Sequence, residues 1–545
     1  MKNLKRNLFA LALSILSTIC VATASDCVPT TYDNPILPGY HPDPSICRVG
    51  DDFYLVNSSF EWFPGLPIHK SRDLVNWELI GYAMKEPEKC PMNKINTFAP
   101  TIRFHDGLFY LIVTCPGAGG NFYITAEDPA GEWSAPTMLP DADGIDPSIF
   151  WDDDNRCYYI GQTHAEPREW TGHNDIWMQE LDLEQGKLVG ERKNLSSGHA
   201  SNAMWTEGPH LYKIDGNYLL LLAEGGTSYY HAVTIFHSDE LWGPYVPDHA
   251  NPILTHRHLG ESYPTQAVGH ADFVDTPNGE WWMVSLGKRI RDGYIYLSRE
   301  TFLSPMKLEK RTGTHKETRS DYNTIIINEG KGMVPETSTR PNLPWTPVAP
   351  LAELDEFEGE ELALRWNLRN VPSTNWYSLQ GGRLVMDLRA ETPQDLWCNP
   401  SLIAQRITDY EFEATTQMDF KTKREGEQAG LILYRRENCY AMLTQKGGDI
   451  LLESNYMGEY SELFRAPYST KGEVILRLES DGTDVTFYYG DDEQSLHKID
   501  ATVPLSIISD LMPNFYNGPM VGVYASSNGE SSKNRASFDW FDLRY

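Results

Sequence analysis

Three carboxylates each open a short segment of the same kind. Asp43 begins Asp43-Pro44-Ser45-Ile46, Asp146 begins Asp146-Pro147-Ser148-Ile149, and Glu207 begins Glu207-Gly208-Pro209-His210-Leu211. Two carboxyl groups facing each other across a pocket can cut an acetal, one protonating the leaving oxygen while the other activates a water. A third can tune them. A nearby ionised carboxylate raises the pKa of the acid, because like charges resist coexisting in a poorly solvated pocket. The base must stay ionised and hold a water, which suits a carboxylate fixed by the rigid Pro44. A single acidic residue before proline is most simply a loop starter; three at equivalent positions of one repeat are not.

Those elements are repeats. After Asp43 come a turn at Asp51-Asp52 and the aromatic strand Phe53-Tyr54-Leu55; after Asp146 come Asp152-Asp153-Asp154 and Tyr158-Tyr159-Ile160. Three weaker copies have the same grammar. Ala99-Pro100-Thr101-Ile102 is followed by Asp106-Gly107 and Phe109-Tyr110-Leu111, and Glu207 is followed by Asp215-Gly216 and Tyr218-Leu219-Leu220. His270-Ala271-Asp272-Phe273 is followed by Asn278-Gly279 and Trp281-Trp282. Asp-Gly and Asn-Gly between apolar runs are hairpin turns. Starts at 43, 99, 146, 207 and 270 suit one four-stranded blade apiece, which predicts a five-bladed β-propeller over residues 28–330. The innermost strand of each blade lines the axis, so Asp43, Ala99, Asp146, Glu207 and His270 should converge at one end of it. Aromatic residues near that mouth, Phe60, Trp62, Phe98 and Trp205, are candidate platforms for sugar rings, although each alone is better explained by packing between blades.

Prolines at 335, 341, 344, 347 and 350 mark residues 331–352 as a stiff linker. Beyond it no blade pattern recurs. Short strand-like runs such as 382–388, 430–434 and 473–478 predict a β-sandwich over residues 353–545. The fold class is therefore all-β.

Composition excludes several alternatives. With 46 Lys+Arg against 76 Asp+Glu, a formal charge of -30 leaves no broad basic face for nucleic acid. Lys2, Lys5 and Arg6 precede an apolar run from Leu8 to Ala22 and the small residues Ala22-Thr23-Ala24, so residues 1–24 read as a signal peptide and the protein as exported, periplasmic or secreted. Acylation of Cys20 or Cys27 is a weaker reading, since Ile19 and Asp26 suit it poorly. No later run is long enough to span a bilayer. Seven widely spaced cysteines remain after cleavage, without a Cys-x-x-Cys pair, which argues against a disulfide framework or structural zinc.

The segments Asn34 to Ile46, Ser58 to Ile68, Ala99 to Arg103, Gly144 to Ser148, Thr206 to His210, Gly269 to Asp272 and Arg299 to Leu303 together resemble glycoside hydrolase family 43 in its two-domain form. Asn514 to Val523 and Phe538 to Phe541 resemble the family's concanavalin-like jelly-roll sandwich. The resemblance implies an exo-acting, inverting hydrolase releasing xylose or arabinose from xylo- or arabino-oligosaccharides. It makes Asp43 the general base, Glu207 the general acid and Asp146 the residue that raises the acid's pKa. Arg299 would hold hydroxyls of the nonreducing-end sugar, and a sandwich loop with Phe515 or Tyr516 would close the pocket. His270 would face a hydrated calcium or other ion on the axis, with no cofactor required for the chemistry itself. Two positions depart from the pattern: Phe98 stands where tryptophan is usual, and Ser298 precedes Arg299 where glycine is common. The rival readings are a noncatalytic carbohydrate-binding propeller of a glycan-uptake system, and the retaining fructan and sucrose hydrolases, whose Asn-Asp-Pro-Asn-Gly segment this chain lacks.

Overall fold

The computed structural model describes residues 28–312, 321–395, 398–469, 472–510 and 516–545. The proposed signal segment and Phe515 lie outside these. Among the described residues there is no α-helix, only strands, 3-10 turns and loops. The expected all-β architecture, a propeller followed by a sandwich, is the one observed.

Five antiparallel sheets form the blades. Their innermost strands are Ser45–Val49, Pro100–His105, Ile145–Trp151, Glu207–Ile214 and Thr265–Asp275, and each touches the next around a closed ring. Blades 1 to 5 are numbered in that order. Between blades the core is built from alternating apolar residues, for example Phe109, Leu111 and Val113 against Val56 and Ile68. That alternation of inward and outward side chains is what the turn-and-strand grammar of the repeat encodes.

A ring of blades needs a joint where its ends meet. Here Leu37 exchanges both backbone hydrogen bonds with Thr301 of blade 5, at 3.3 and 3.2 Å. Asn34 uses its side chain in the same place, donating to the Leu303 carbonyl and accepting from the Leu303 N–H, both at 2.8 Å. The strand Thr31–Asp33 pairs with Thr337–Thr339, so the proline-rich segment begins as part of the joint. Farther on, Thr346 donates through its N–H and its hydroxyl to Asp73. The segment is laid along the propeller, not a free tether.

The sandwich is two eight-stranded sheets around a core that includes Trp366, Trp376, Phe412, Phe487 and Phe538. One of those eight strands comes from the propeller. Trp62–Phe63 pairs antiparallel with Asn367–Arg369 and forms the edge of the second sheet. Around that strand Tyr40, Phe60 and Trp62 pack on Leu402, Ile432, Tyr434, Met520 and Tyr524 of the sandwich. The two domains therefore share a sheet and an apolar core.

This corrects the expectation that Trp62 meets sugar. Its side chain is wholly buried, edge-on to Tyr434 at 5.9 Å, and held by strand pairing to the sandwich. Trp62→Ala should cost about 3–5 kcal/mol of stability, as truncation of a buried tryptophan does. Trp62→Phe should leave KM unchanged. Urea unfolding and steady-state kinetics check the two; a raised KM with unaltered stability would return Trp62 to the substrate.

Candidate active site

All five repeat-opening residues, Asp43, Ala99, Asp146, Glu207 and His270, line one cavity of about 390 Å³ at one end of the propeller. Phe60, Phe98, Trp205, Arg299 and Tyr516 line it too. That volume lies within the usual range for small-ligand sites, about 300–1,000 Å³.

The backbone that aims these side chains is irregular. In blade 3, Ile145 pairs with Gln162 and Ser148 with Ile160, so Asp146-Pro147 forms a bulge against Gly161. Blade 4 repeats the device: Glu207 pairs with Ala223 and His210 with Leu221, leaving Gly208-Pro209 bulged. In blade 5 the register shifts again on both sides of Gly269. Bulges turn side chains away from the regular alternation, here toward the axis. The backbone is also left-handed at three of these positions, with φ of 51° at Asp43, 54° at Asp146 and 44° at His270. Aspartate tolerates this conformation better than most residues. At Gly208 (φ +56°) an added Cβ would stand 3.0 Å from the His270 ring, so glycine serves both conformation and space. Ser298 has φ 65°, a left-handed conformation that favours glycine.

Arg299 organises one wall. Its Nη1 donates to Asp43 Oδ1 at 2.6 Å, its Nη2 to the Tyr516 carbonyl at 3.2 Å, and its guanidinium lies 5.0 Å from the centre of the Phe60 ring. Ser58 Oγ donates to the other Asp43 oxygen at 2.5 Å. Phe60 stacks on Tyr516 at 5.4 Å and meets Phe98 at 5.1 Å, forming a three-ring cluster with one member from the sandwich. Trp205, 38% exposed, stands at the mouth.

The carboxyls divide. Burial pushes Asp43 up, but the adjacent Arg299 and the Ser58 hydrogen bond outweigh it and hold the group below its ordinary value. Glu207 is pushed up to about 8, by burial first and then by the charge on Asp43, with Arg299 opposing. Asp146 is also raised, by burial and then by Glu207 and Asp43, against the Arg299 charge and a hydrogen bond from the Gly208 N–H. The cavity thus holds one firmly ionised carboxylate beside a pair that retains a proton near neutrality. This is the arrangement an acid and a base need at the same pH.

His270 lies in the cavity, and burial lowers its pKa, so it is neutral. The donors around it do not suit a divalent cation, which needs several free oxygens. Asp43 is engaged by Arg299 and Ser58, and Asp272 by Arg103, Ser45 and Tyr212. Among the described residues no group of three or more His, Cys, Asp or Glu could hold a metal. Six cysteines, Cys47, Cys90, Cys115, Cys157, Cys398 and Cys439, are free.

Sequence reasoning missed the wall formed by Gly225 to Ser228 and His231 in blade 4. His231 contacts the Ala267 carbonyl through Nδ1 at 2.9 Å. The only local signal is Gly225-Gly226, which reads as an ordinary turn.

A pocket at the end of a five-bladed propeller, with carboxyls of opposed protonation and an aromatic rim, has the parts that glycoside hydrolysis needs. The chain belongs to glycosyl hydrolases family 43, whose profile matches residues 32–312. Residues 354–544 match the beta xylosidase C-terminal concanavalin A-like domain. It is 37% identical to a xylosidase/arabinosidase of Butyrivibrio fibrisolvens, over 94% of this chain and 99% of that one. It is 36% identical to the non-reducing end alpha-L-arabinofuranosidase BoGH43B of Bacteroides ovatus, over 94% and 95%. Among solved structures, xylan beta-1,4-xylosidase from Bacillus halodurans C-125 superposes with a TM-score of 0.86 at 32% identity, covering 94% of this chain and 100% of that one.

The raised Glu207 has a consequence for stability. A carboxyl whose folded pKa exceeds its unfolded value of 4.5 holds its proton more tightly when folded, so stability falls as pH rises from about 4.5 through about 8. Glu207→Gln removes this penalty. The variant should match wild type near pH 4 and exceed it increasingly toward pH 8, by up to a few kcal/mol. Thermal unfolding across that range checks it; parallel curves would show that Glu207 is not strained by burial.

Proposed function

We propose that this protein is an exo-acting, inverting glycosidase that removes nonreducing-end xylose (β-1,4-xylosidase) or arabinose (α-L-arabinofuranosidase) from hemicellulose-derived oligosaccharides. The observation that carries the reading is the division of charge inside one cavity: Asp43 kept ionised by Arg299, Glu207 kept protonated by burial and by Asp43. Asp43 is the general base and takes a proton from the attacking water. Glu207 is the general acid and gives its proton to the leaving oxygen. Asp146, which shares the burial of Glu207, keeps that proton in place. Arg299 has donors beside Asp43 for sugar hydroxyls, and Phe60, Phe98, Trp205 and Tyr516 offer flat faces to the ring. Among the relatives, both printed activities occur, xylosidase and arabinofuranosidase, which supports a pocket accepting either sugar. The amino-terminal segment, Lys2 to Ala24, supports export to where such oligosaccharides are met.

The roles separate experimentally through the leaving group. Asp43→Asn should lower kcat at least about 10²–10⁴-fold on every substrate, because no leaving group replaces the base. Glu207→Gln should lose a similar factor on xylobiose yet much less on p-nitrophenyl β-xyloside, since p-nitrophenolate leaves without protonation. In the wild type, kcat/KM should fall as pH rises through about 8, where Glu207 loses its proton. Equal losses for Glu207→Gln on both substrates would remove it from the acid role. No turnover by wild type on xylosides, arabinosides or xylo-oligosaccharides would favour a noncatalytic sugar-binding propeller.

A further inference from the structure

Asp272 stands two residues beyond His270, its side chain wholly buried, and bonds converge on it from four of the five blades. Its Oδ2 accepts from Ser45 Oγ at 2.7 Å and the Ile46 N–H at 3.1 Å in blade 1, and from Arg103 Nη1 at 2.8 Å in blade 2. Its Oδ1 accepts from Arg103 Nη2 at 3.3 Å, from the Phe273 N–H at 2.9 Å, and from the Tyr212 hydroxyl in blade 4. Groups reaching one atom pair from the innermost strands of four blades can meet only at the axis. Arg103 has a second tie there, Nη2 to His210 Nδ1 at 2.9 Å. Burial lowers the His210 pKa to about 3, so this ring is neutral and accepts through that nitrogen.

The axis beneath the pocket is thus occupied by a guanidinium with its counter-ion. A divalent cation placed there would find the Asp272 oxygens and the His210 lone pair already used, and would meet a fixed positive charge. We propose that Arg103 is a built-in axial cation: it neutralises Asp272, ties four blades together under the pocket floor, and makes hydrolysis by this chain independent of any divalent metal facing His270. Arg103 is a positioning residue, acting through the strand that carries His270 and not on the substrate. Its role does not depend on which carboxylate is acid or base.

The test combines metal content, stability and activity of the full chain. Wild type purified without chelator and gel-filtered into metal-free buffer should hold well under one calcium, manganese or zinc ion per chain by plasma mass spectrometry, and EDTA treatment should change neither Tm nor kcat/KM. Its Tm and kcat/KM should be unchanged by millimolar calcium. Arg103→Ala frees the Asp272 and His210 donors and should acquire a calcium response, with Tm rising by several degrees as ligand-linked stabilisation requires. Arg103→Lys, which keeps a positive charge, should stay calcium-independent, and Arg103→Met/Asp272→Asn, which lacks both charges, should show no response. A stoichiometric metal in the wild type whose removal lowers Tm and kcat/KM would overturn the proposal. So would a folded Arg103→Ala indifferent to calcium. If Arg103→Ala does not fold, the wild-type metal content and the calcium response of Arg103→Lys decide.

Discussion

The ion pair between Arg299 and Asp43 is where pocket, ring closure and domain docking meet, and it sets the charge on which the site depends. Its partners come from opposite ends of the propeller chain: Asp43 opens blade 1 and Arg299 precedes the third strand of blade 5. Nearby, the His41 N–H donates to the Arg299 carbonyl at 3.0 Å and Thr301 Oγ1 to the His41 carbonyl at 2.8 Å, so the pair sits within the joint that closes the ring. Arg299 also donates to the Tyr516 carbonyl and lies over Phe60, which fixes a sandwich residue against the pocket. Both charges are almost wholly buried, and a buried pair gains little net stability because desolvation offsets attraction. What the pair does achieve is a fixed charge state for Asp43. The raised pKa of Glu207 follows in part from it, since the Asp43 anion is one of its causes.

The propeller solves a positioning problem that a regular sheet cannot. Alternation along a strand would place each repeat-opening residue by simple pleat geometry, yet the carboxylates must face inward beside one another, where their charges repel. Bulges at Asp146-Pro147 and Gly208-Pro209, and left-handed backbone at Asp43 and His270, aim them there. The strain and repulsion are borne by a rigid frame. Part of that frame is polar and lies directly beneath, at Asp272 and Arg103, and part is the apolar interface at Tyr40, Trp62 and Tyr434. The buried Lys288–Asp510 pair adds a link between propeller and sandwich, with nitrogen and oxygen 2.8 Å apart.

Much of this was legible in the sequence, because the signals were local and repeated. Each blade carries its own turn and aromatic strand, so the spacing of the copies placed Asp43, Ala99, Asp146, Glu207 and His270 at one cavity before any coordinate. Trp62 was misplaced for the complementary reason. Its two-residue strand pairs with Arg369 and Leu368, some three hundred positions away, and nothing near residue 62 announces that partner. Arg103 likewise reads as an ordinary strand residue until the fold brings Asp272 and His210 to it. The wall at Gly225 to His231 was missed because loop residues gain meaning only from the cavity they border. Periodic, short-range information was recovered, and pairings between distant segments were not.

In the proposed mechanism an ionised Asp43 and a protonated Glu207 act from opposite sides of the sugar, with water attacking the face away from the leaving group. Proton NMR of a β-xyloside digest, recorded before the released sugar mutarotates, reports this directly. With inversion, α-xylose appears first and the β-anomer only later. β-Xylose as the first product would mean a covalent intermediate and two displacements, and would contradict the roles given to both carboxyls.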